Sequence, residues 1–288
     1  MENFDKKIES KLSSHHYDES PNDASTKRMF DMLDKVLPQE TKVVPLQVVK
    51  PAKSVSSFFL KVAASIAILL IAGYGFYAFN EVEVSVGNTA QQEVVLPDGS
   101  IVTMNSGSQI QYNKLLWKLK RELSLEGEAF FEVEKGEKFV VNSTLGRTQV
   151  LGTSFNIYAR GKKYEVKCST GKVLVSSNRT HEEVILLPGE GVVLKEEILR
   201  PFEYNKEENE DWRQGEFYFD QTFFDIVIAE LERQYGVTVS YPDSYKKERY
   251  TGYFNNKDLA QALKLICEPI GLEAKQKGKL IELIPLEE

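Results

Sequence analysis

Cysteine, histidine and tryptophan are scarce in this 288-residue chain, at two, three and two copies. Two cysteines exclude a disulfide-built scaffold. Cys168 and Cys267 each sit in an apolar pattern, in segments read below as different domains. Two separate buried thiols are therefore expected rather than a bridge. His15, His16 and His181 have no cysteine, carboxylate or serine neighbours at the spacing of a metal site or a catalytic triad. No phosphate loop or dinucleotide fingerprint occurs. Gly152-Thr153-Ser154-Phe155-Asn156 has its glycines in the wrong places for a nucleophile elbow. A conventional enzyme is not expected, nor a metal or cofactor. Basic excess is absent too: 36 Lys and Arg stand against 43 Asp and Glu, a net charge of −7. That balance does not suggest nucleic-acid binding.

Long apolar runs are also rare, and the exception divides the chain. Phe58 to Phe79 reads FFLKVAASIAILLIAGYGFYAF and carries no charge after Lys61. As a helix it is about 33 Å long, enough to cross a hydrocarbon core of about 30 Å. A signal peptide would begin near residue 1 and end in small residues. A single transmembrane helix over 58–79 is expected. Lys42, Lys50, Lys53 and Lys61 precede or enter it, with no acidic residue from Thr41 to Lys61. Glu81 and Glu83 follow it, and the next basic residue is Lys114. The positive-inside rule then places 1–57 in the cytoplasm and 80–288 outside.

The 57 residues before the span are few for an independent core. They read as two short helices, the second over about Ser25–Leu37. Its apolar residues Met29, Phe30, Leu33, Val36 and Leu37 share one face at helical spacing. Pro38, Pro45 and Pro51 then mark an extended tether. Such a face packs locally or is offered to a partner.

Residues 80–200 read as all β, a sandwich or β-roll. Short Val-, Ile- and Phe-rich segments alternate with turn signals such as Pro97-Asp98-Gly99, Glu126-Gly127, Gly152 and Pro188-Gly189. The charged stretch around Pro201–Asp211 reads as a linker, placed at 201–214. Residues 215–288 read as a small α+β domain containing an internal repeat. Phe219, Phe224, Ile228, Leu231, Gly236 and Val237 recur 35 positions later as Phe254, Leu259, Leu263, Ile266, Gly271 and Leu272. Each copy reads as strand, polar N-cap region, amphipathic helix, glycine and strand, with both helices on one sheet face.

The β region carries specific motifs. Leu96-Pro97-Asp98-Gly99-Ser100, followed by Asn105-Ser106-Gly107-Ser108 and Tyr112, resembles the opening of the FecR domain. Leu125-Glu126-Gly127-Glu128-Ala129-Phe130-Phe131-Glu132-Val133 is similar to its central segment. Val150-Leu151-Gly152-Thr153-Ser154-Phe155-Asn156-Ile157 is similar to the segment that follows. From Trp212 through Glu230-Leu231-Glu232-Arg233-Gln234-Tyr235-Gly236-Val237 to Thr251-Gly252-Tyr253-Phe254, the chain resembles the C-terminal domain of FecR proteins of the Bacteroidetes branch. That domain is in turn similar to the short domain of secretins and TonB-dependent transducers. Met104 stands where the family often has tryptophan, and the tail lacks the tryptophans of typical family tails.

The resemblance implies a single-pass inner-membrane anti-sigma factor, N-terminus cytoplasmic and C-terminus periplasmic. The tail would bind an extracytoplasmic-function sigma factor. The ectodomain would sense the signalling domain of a TonB-dependent outer-membrane receptor, and envelope proteases would release the tail with its sigma factor. It also points to the Gly152–Thr153 bond as a possible self-cleavage point. The alternative is a structural envelope or secretion component, suggested by the secretin-like domain, which has no use for an amphipathic tail. A membrane-bound transcription activator would need a basic DNA-binding face in the tail, and none is present.

Overall fold

The computed structural model describes residues 27–29, 31–32, 35, 57–204 and 211–286. Residues 27–29, 31–32 and 35 are helical. Helix α1 covers Ser57–Phe79. Within it, Phe59–Tyr77 has a mean hydropathy of 2.0 and is not buried by the rest of the chain. Length and composition are those of a membrane anchor.

Thirteen strands follow: β1 (Glu81–Ser85), β2 (Gln92–Val95), β3 (Ile101–Met104), β4 (Gln109–Asn113), β5 (Arg121–Glu132), β6 (Phe139–Asn142), β7 (Gly146–Val150), β8 (Ser154–Arg160), β9 (Lys163–Cys168), β10 (Val173–Ser177), β11 (Glu183–Leu186), β12 (Glu190–Lys195) and β13 (Ile198–Glu203). They form two half-sheets that share β5. One runs β1-β4-β5-β6-β7-β10-β11 and the other β2-β3-β5-β8-β9-β12-β13. Ile110, Leu123, Phe139 and Val175 from the first meet Val102, Phe131, Ile157 and Val166 from the second in one core. Phe131 stacks on Phe155 at 5.0 Å, and Trp117 packs edge-on between Tyr112 and Phe139. The expected all-β region is therefore two-layered.

Strand β5 explains how one chain builds both layers. Its first residues pair parallel with β6, Arg121 opposite Phe139. A straight strand from Arg121 to Glu132 would be about 36 Å long. The connection from Glu132 to Phe139 can span only about 25 Å, so β5 must curl. It does so at Gly127, where φ is 112°. A Cβ there would lie 2.5 Å from the Ser108 hydroxyl oxygen. The expected turn at Glu126-Gly127 is thus a bend inside one twelve-residue strand. Ser108 bridges the bend, accepting from the Glu128 N–H and donating to its carbonyl, both at 2.9 Å.

Both ends of the expected linker at 201–214 are regular structure, and residues 205–210 of it lie outside the described residues. Pro201–Glu203 finish β13, and Asp211–Gln214 form a 3-10 turn that buries Trp212. The C-terminal domain then runs β14 (Glu216–Phe223), α2 (Phe224–Tyr235), β15 (Thr238–Ser240), β16 (Arg249–Asn255), α3 (Leu259–Cys267), β17 (Leu272–Lys277) and β18 (Leu280–Pro285). Its strands form two small sheets, β14-β16 and β15-β18-β17, instead of the single sheet expected. Phe224, Val227, Ile228 and Leu231 of α2 are buried at helical spacing. Ala262, Leu263 and Ile266 do the same for α3. Gly236 and Gly271 end the helical segments in the left-handed conformation, at φ 63° and 69°. The N-caps differ. Asp258 accepts from the Gln261 N–H, whereas α2 starts at Phe223 without a side-chain cap. There the Phe224 N–H bonds the Glu248 carbonyl instead, at 2.9 Å. Cys168 and Cys267 are both buried thiols and are not joined by a disulfide, as the sequence suggests. Burial raises the Cys267 thiol to about 11.

Candidate functional site

The family-like motifs separate into three places. The first is a structural turn. Leu96 is buried, and Pro97-Asp98-Gly99 close the β2–β3 hairpin through the Gly99 N–H to the Leu96 carbonyl at 3.0 Å. Burial works against the Asp98 charge, yet the Ser100 hydroxyl and N–H and the Arg121 guanidinium hold its carboxyl below its ordinary value. Arg121 begins β5, so this turn is pinned to the shared strand. The second place is the core, which takes Phe131 and Phe155.

The third place is a polar seat between the two domains. Glu128, on the bend of β5, is nearly fully buried. One of its carboxylate oxygens accepts from the Asn105 amide at 2.8 Å, the other from the Asn156 amide at 3.1 Å. Both asparagines also face the C-terminal domain. The Asn156 side-chain oxygen accepts from the Trp212 indole at 3.2 Å. The Asn105 side-chain oxygen accepts from Gln234 of α2 at 2.9 Å. Gln234 also donates to Glu230 at 2.8 Å, and Arg233 pairs with Glu230 at 2.5 Å. The Gln91 amide donates to the Trp212 carbonyl at 2.7 Å, and the Thr89 N–H to the Arg233 carbonyl at 2.7 Å. Arg160 donates to the Ser106 carbonyl at 2.6 Å and the Gly107 carbonyl at 2.8 Å. Phe130, two residues after Glu128, leaves the β core and packs in the C-terminal core with Trp212, the Arg213 guanidinium 3.8 Å from its ring centre.

Burial first, then the nearby Glu230 charge, raises the Glu128 carboxyl above its ordinary value, against the two amides and Arg160. The hydrogen bonds nonetheless ask Glu128 to accept at both oxygens, which suits its ionised form. A cavity of about 130 Å³ borders the seat, lined in part by Glu128, Glu165, Trp212, Phe217 and Glu230. Glu165 lies between Lys163 and Lys167, each at 3.0 Å. Burial opposes its charge, but the two lysines prevail and lower its carboxyl to about 2.

Of the residues singled out from sequence, Gly127, Glu128, Phe130 and Asn156 come together here. Leu96, Pro97, Asp98, Gly99, Phe131 and Phe155 serve the turn and the core. Gly152 and Thr153 lie apart, ahead of β8. A Cβ on Gly152 would come within 2.8 Å of the Lys135 Cα, so the backbone passes closely there. The buried Thr153 hydroxyl donates to the Lys172 carbonyl at 3.1 Å. Met29 is helical and exposed, while Phe30, Leu33, Val36 and Leu37 lie outside the described residues. Glu230, Arg233 and Gln234 were quoted only as motif. The local signal for their role is that Glu230 and Gln234 stand four apart, on one side of the helix. No cluster of His, Cys, Asp and Glu able to hold a metal occurs among the described residues.

Comparison with known proteins agrees with the motif reading. Residues 82–174 match the family described as FecR protein, and residues 216–283 the family described as FecR, C-terminal. Two crystal structures of a "putative anti-sigma factor" from Parabacteroides distasonis are similar to this chain. One, at 2.50 Å resolution, is 28% identical with a TM-score of 0.67, and the other, at 1.65 Å, is 29% identical with a TM-score of 0.66. Each match covers 72% of this chain and 100% of the solved one. None of the curated proteins compared with the chain matches it.

Proposed function

The chain belongs to the FecR family, and from that membership we propose that it is a single-pass inner-membrane anti-sigma factor. Residues 1–57 form the cytoplasmic tail and hold an extracytoplasmic-function sigma factor, with Met29, Phe30, Leu33, Val36 and Leu37 as the contact face. Residues 58–79 span the membrane. The two domains beyond it face the periplasm and read the signalling domain of a TonB-dependent outer-membrane receptor. Envelope proteases then cut the chain and free the tail with its sigma factor. One observation carries this reading: the ectodomain matches both FecR families and resembles structures described as an anti-sigma factor, directly beyond an apolar helix long enough to anchor it. The lysines before that helix and the glutamates after it support the orientation.

The test is co-purification. The full chain, tagged and extracted from native membranes in mild detergent, should bring down a sigma factor. A chain lacking residues 1–57 should not. Absence of any sigma factor from both preparations would overturn the proposal.

The Gly152–Thr153 bond belongs to the same proposal as a self-cleavage point. The Thr153 hydroxyl oxygen attacks the Gly152 carbonyl carbon, the C–N bond breaks, and the hydroxyl proton ends on the freed Thr153 amine. Water then opens the resulting ester. The Lys172 carbonyl that accepts from Thr153 must be exchanged for a base during the step. On a denaturing gel, Thr153→Ala should remain whole where the native chain yields two fragments. A native chain that also stays whole would exclude self-cleavage.

A further inference from the structure

The turn between β4 and β5 is built against the end of α1. Its sequence, Lys114-Leu115-Leu116-Trp117-Lys118-Leu119-Lys120, combines three lysines with three leucines. Asn113 holds it in place from both sides. Its side-chain amide donates to the Tyr77 carbonyl of α1 at 2.9 Å, while its side-chain oxygen accepts from the Leu115 and Leu116 N–H groups at 3.0 and 3.1 Å. The Lys114 N–H bonds the Asn80 carbonyl at 2.9 Å, and Glu81 of β1 pairs directly with Asn113. Trp117 turns inward to the β core. Leu115 and Leu119 do not: they are 43% and 80% exposed, next to exposed Lys114, Lys118 and Lys120.

Depth follows from the helix. Phe59–Tyr77 spans about 28 Å, close to a hydrocarbon core about 30 Å thick. Tyr77 therefore stands at the boundary, where tyrosine is favoured. A turn hydrogen-bonded to Tyr77 starts at that same depth. Exposed leucines among lysines are a poor arrangement for water and a good one for the headgroup zone. Leucine side chains enter the acyl boundary there while lysine stems reach the phosphates. Glu81 and Glu83 lie on the neighbouring strand, and Asp98, Glu122, Glu134 and Glu137 share a pocket with Lys118 and Lys120, but Arg121, Lys135, Lys138 and Arg147 line it too, so basic groups outnumber acidic ones there.

We propose that Lys114–Lys120 is a membrane-contacting turn. Leu115 and Leu119 dip into the leaflet at the C-terminal end of α1, and Lys114, Lys118 and Lys120 bind phosphates of its anionic phospholipids. The turn gives the ectodomain a second foothold and fixes its tilt, because a single helix leaves it free to swivel. This inference rests on α1 being a membrane anchor.

The experiment places an environment-sensitive fluorophore at single introduced cysteines in the full chain, with native Cys168 and Cys267 buried. Leu119→Cys reports the turn and Tyr74→Cys the span. Ile185→Cys is the control; it is exposed on β11, at the opposite edge of the half-sheet from β1. The chains are reconstituted into phosphatidylcholine vesicles with or without phosphatidylglycerol, carrying nitroxide-labelled lipid as quencher. Labels at 74 and 119 should be quenched and the label at 185 should not. Quenching at 119 should be stronger with phosphatidylglycerol, and it should fall to the level of 185 in the variant Lys114→Gln, Lys118→Gln, Lys120→Gln. A quenched label at 74 with an unquenched label at 119 overturns the membrane contact and leaves the anchor standing. An unquenched label at 74 overturns the anchor, and the turn with it. Equal quenching at 119 in both vesicle types overturns the phosphate contacts.

Discussion

At the scale of the residue, Glu128 organises the domain junction. Asn105 and Asn156 spend their oxygens on the C-terminal domain and their amides on Glu128. Glu128→Ala leaves both amides buried without an acceptor, at about 1–3 kcal/mol each. We expect a loss of that order in urea unfolding of the full chain in detergent, with earlier proteolysis between β13 and β14. Trp212→Ala should cost about 3–5 kcal/mol, as truncation of a buried indole does. Glu165 predicts a pH dependence. Its carboxyl lies at about 2 in the folded chain against an ordinary 4.5. A depressed carboxyl stabilises above its unfolded value and loses that contribution as pH falls through its folded value. The native chain should therefore weaken between about pH 4.5 and 2, and Glu165→Gln should flatten that part of a stability profile. A profile unchanged by the substitution would remove Lys163 and Lys167 as the cause. Sequence alone pointed to Glu128 and Asn156 as motif residues but not to their partners. Hydrogen bonds between residues 105 and 234 leave no local pattern.

At the scale of the element, legibility follows periodicity. The helix at Ser57–Phe79 was plain from its length and apolarity. The strand at Ile101–Met104 was plain from its β-branched residues between turn signals. Strand β5 was legible only over its second half. Its bend carries Glu126-Gly127, which looks like a turn because a turn and a kinked strand need the same glycine. Strand β9 (KYEVKC) alternates polar and apolar residues, and the lysines and glutamate of its polar face pair with one another. Gly127→Val tests the bend. A side chain there meets Ser108 at 2.5 Å in a conformation valine rarely adopts. We expect unfolding or loss of soluble expression of the ectodomain. Native stability would show that β5 does not need to curl there.

At the scale of the whole molecule, one apolar helix divides two unequal parts. The β domain and the C-terminal domain are joined by side chains from both, with Phe130 of one inside the core of the other. They form one joined unit, which the proposed function assigns as the receiver of the signal. The succession of a β region and an α+β region was readable from composition, because turn density and helical spacing are local properties. The two small sheets of the C-terminal domain were not, since strand pairing depends on distant residues. The separation of tail and receiver across the membrane is the central claim. It is tested most directly by protease treatment of spheroplasts bearing the full chain, tagged at both ends. We predict that the C-terminal tag is digested while an N-terminal fragment ending near residue 79 is protected and still precipitates a sigma factor. A protected C-terminal tag, or a protected N-terminal fragment without a sigma factor, would contradict the account.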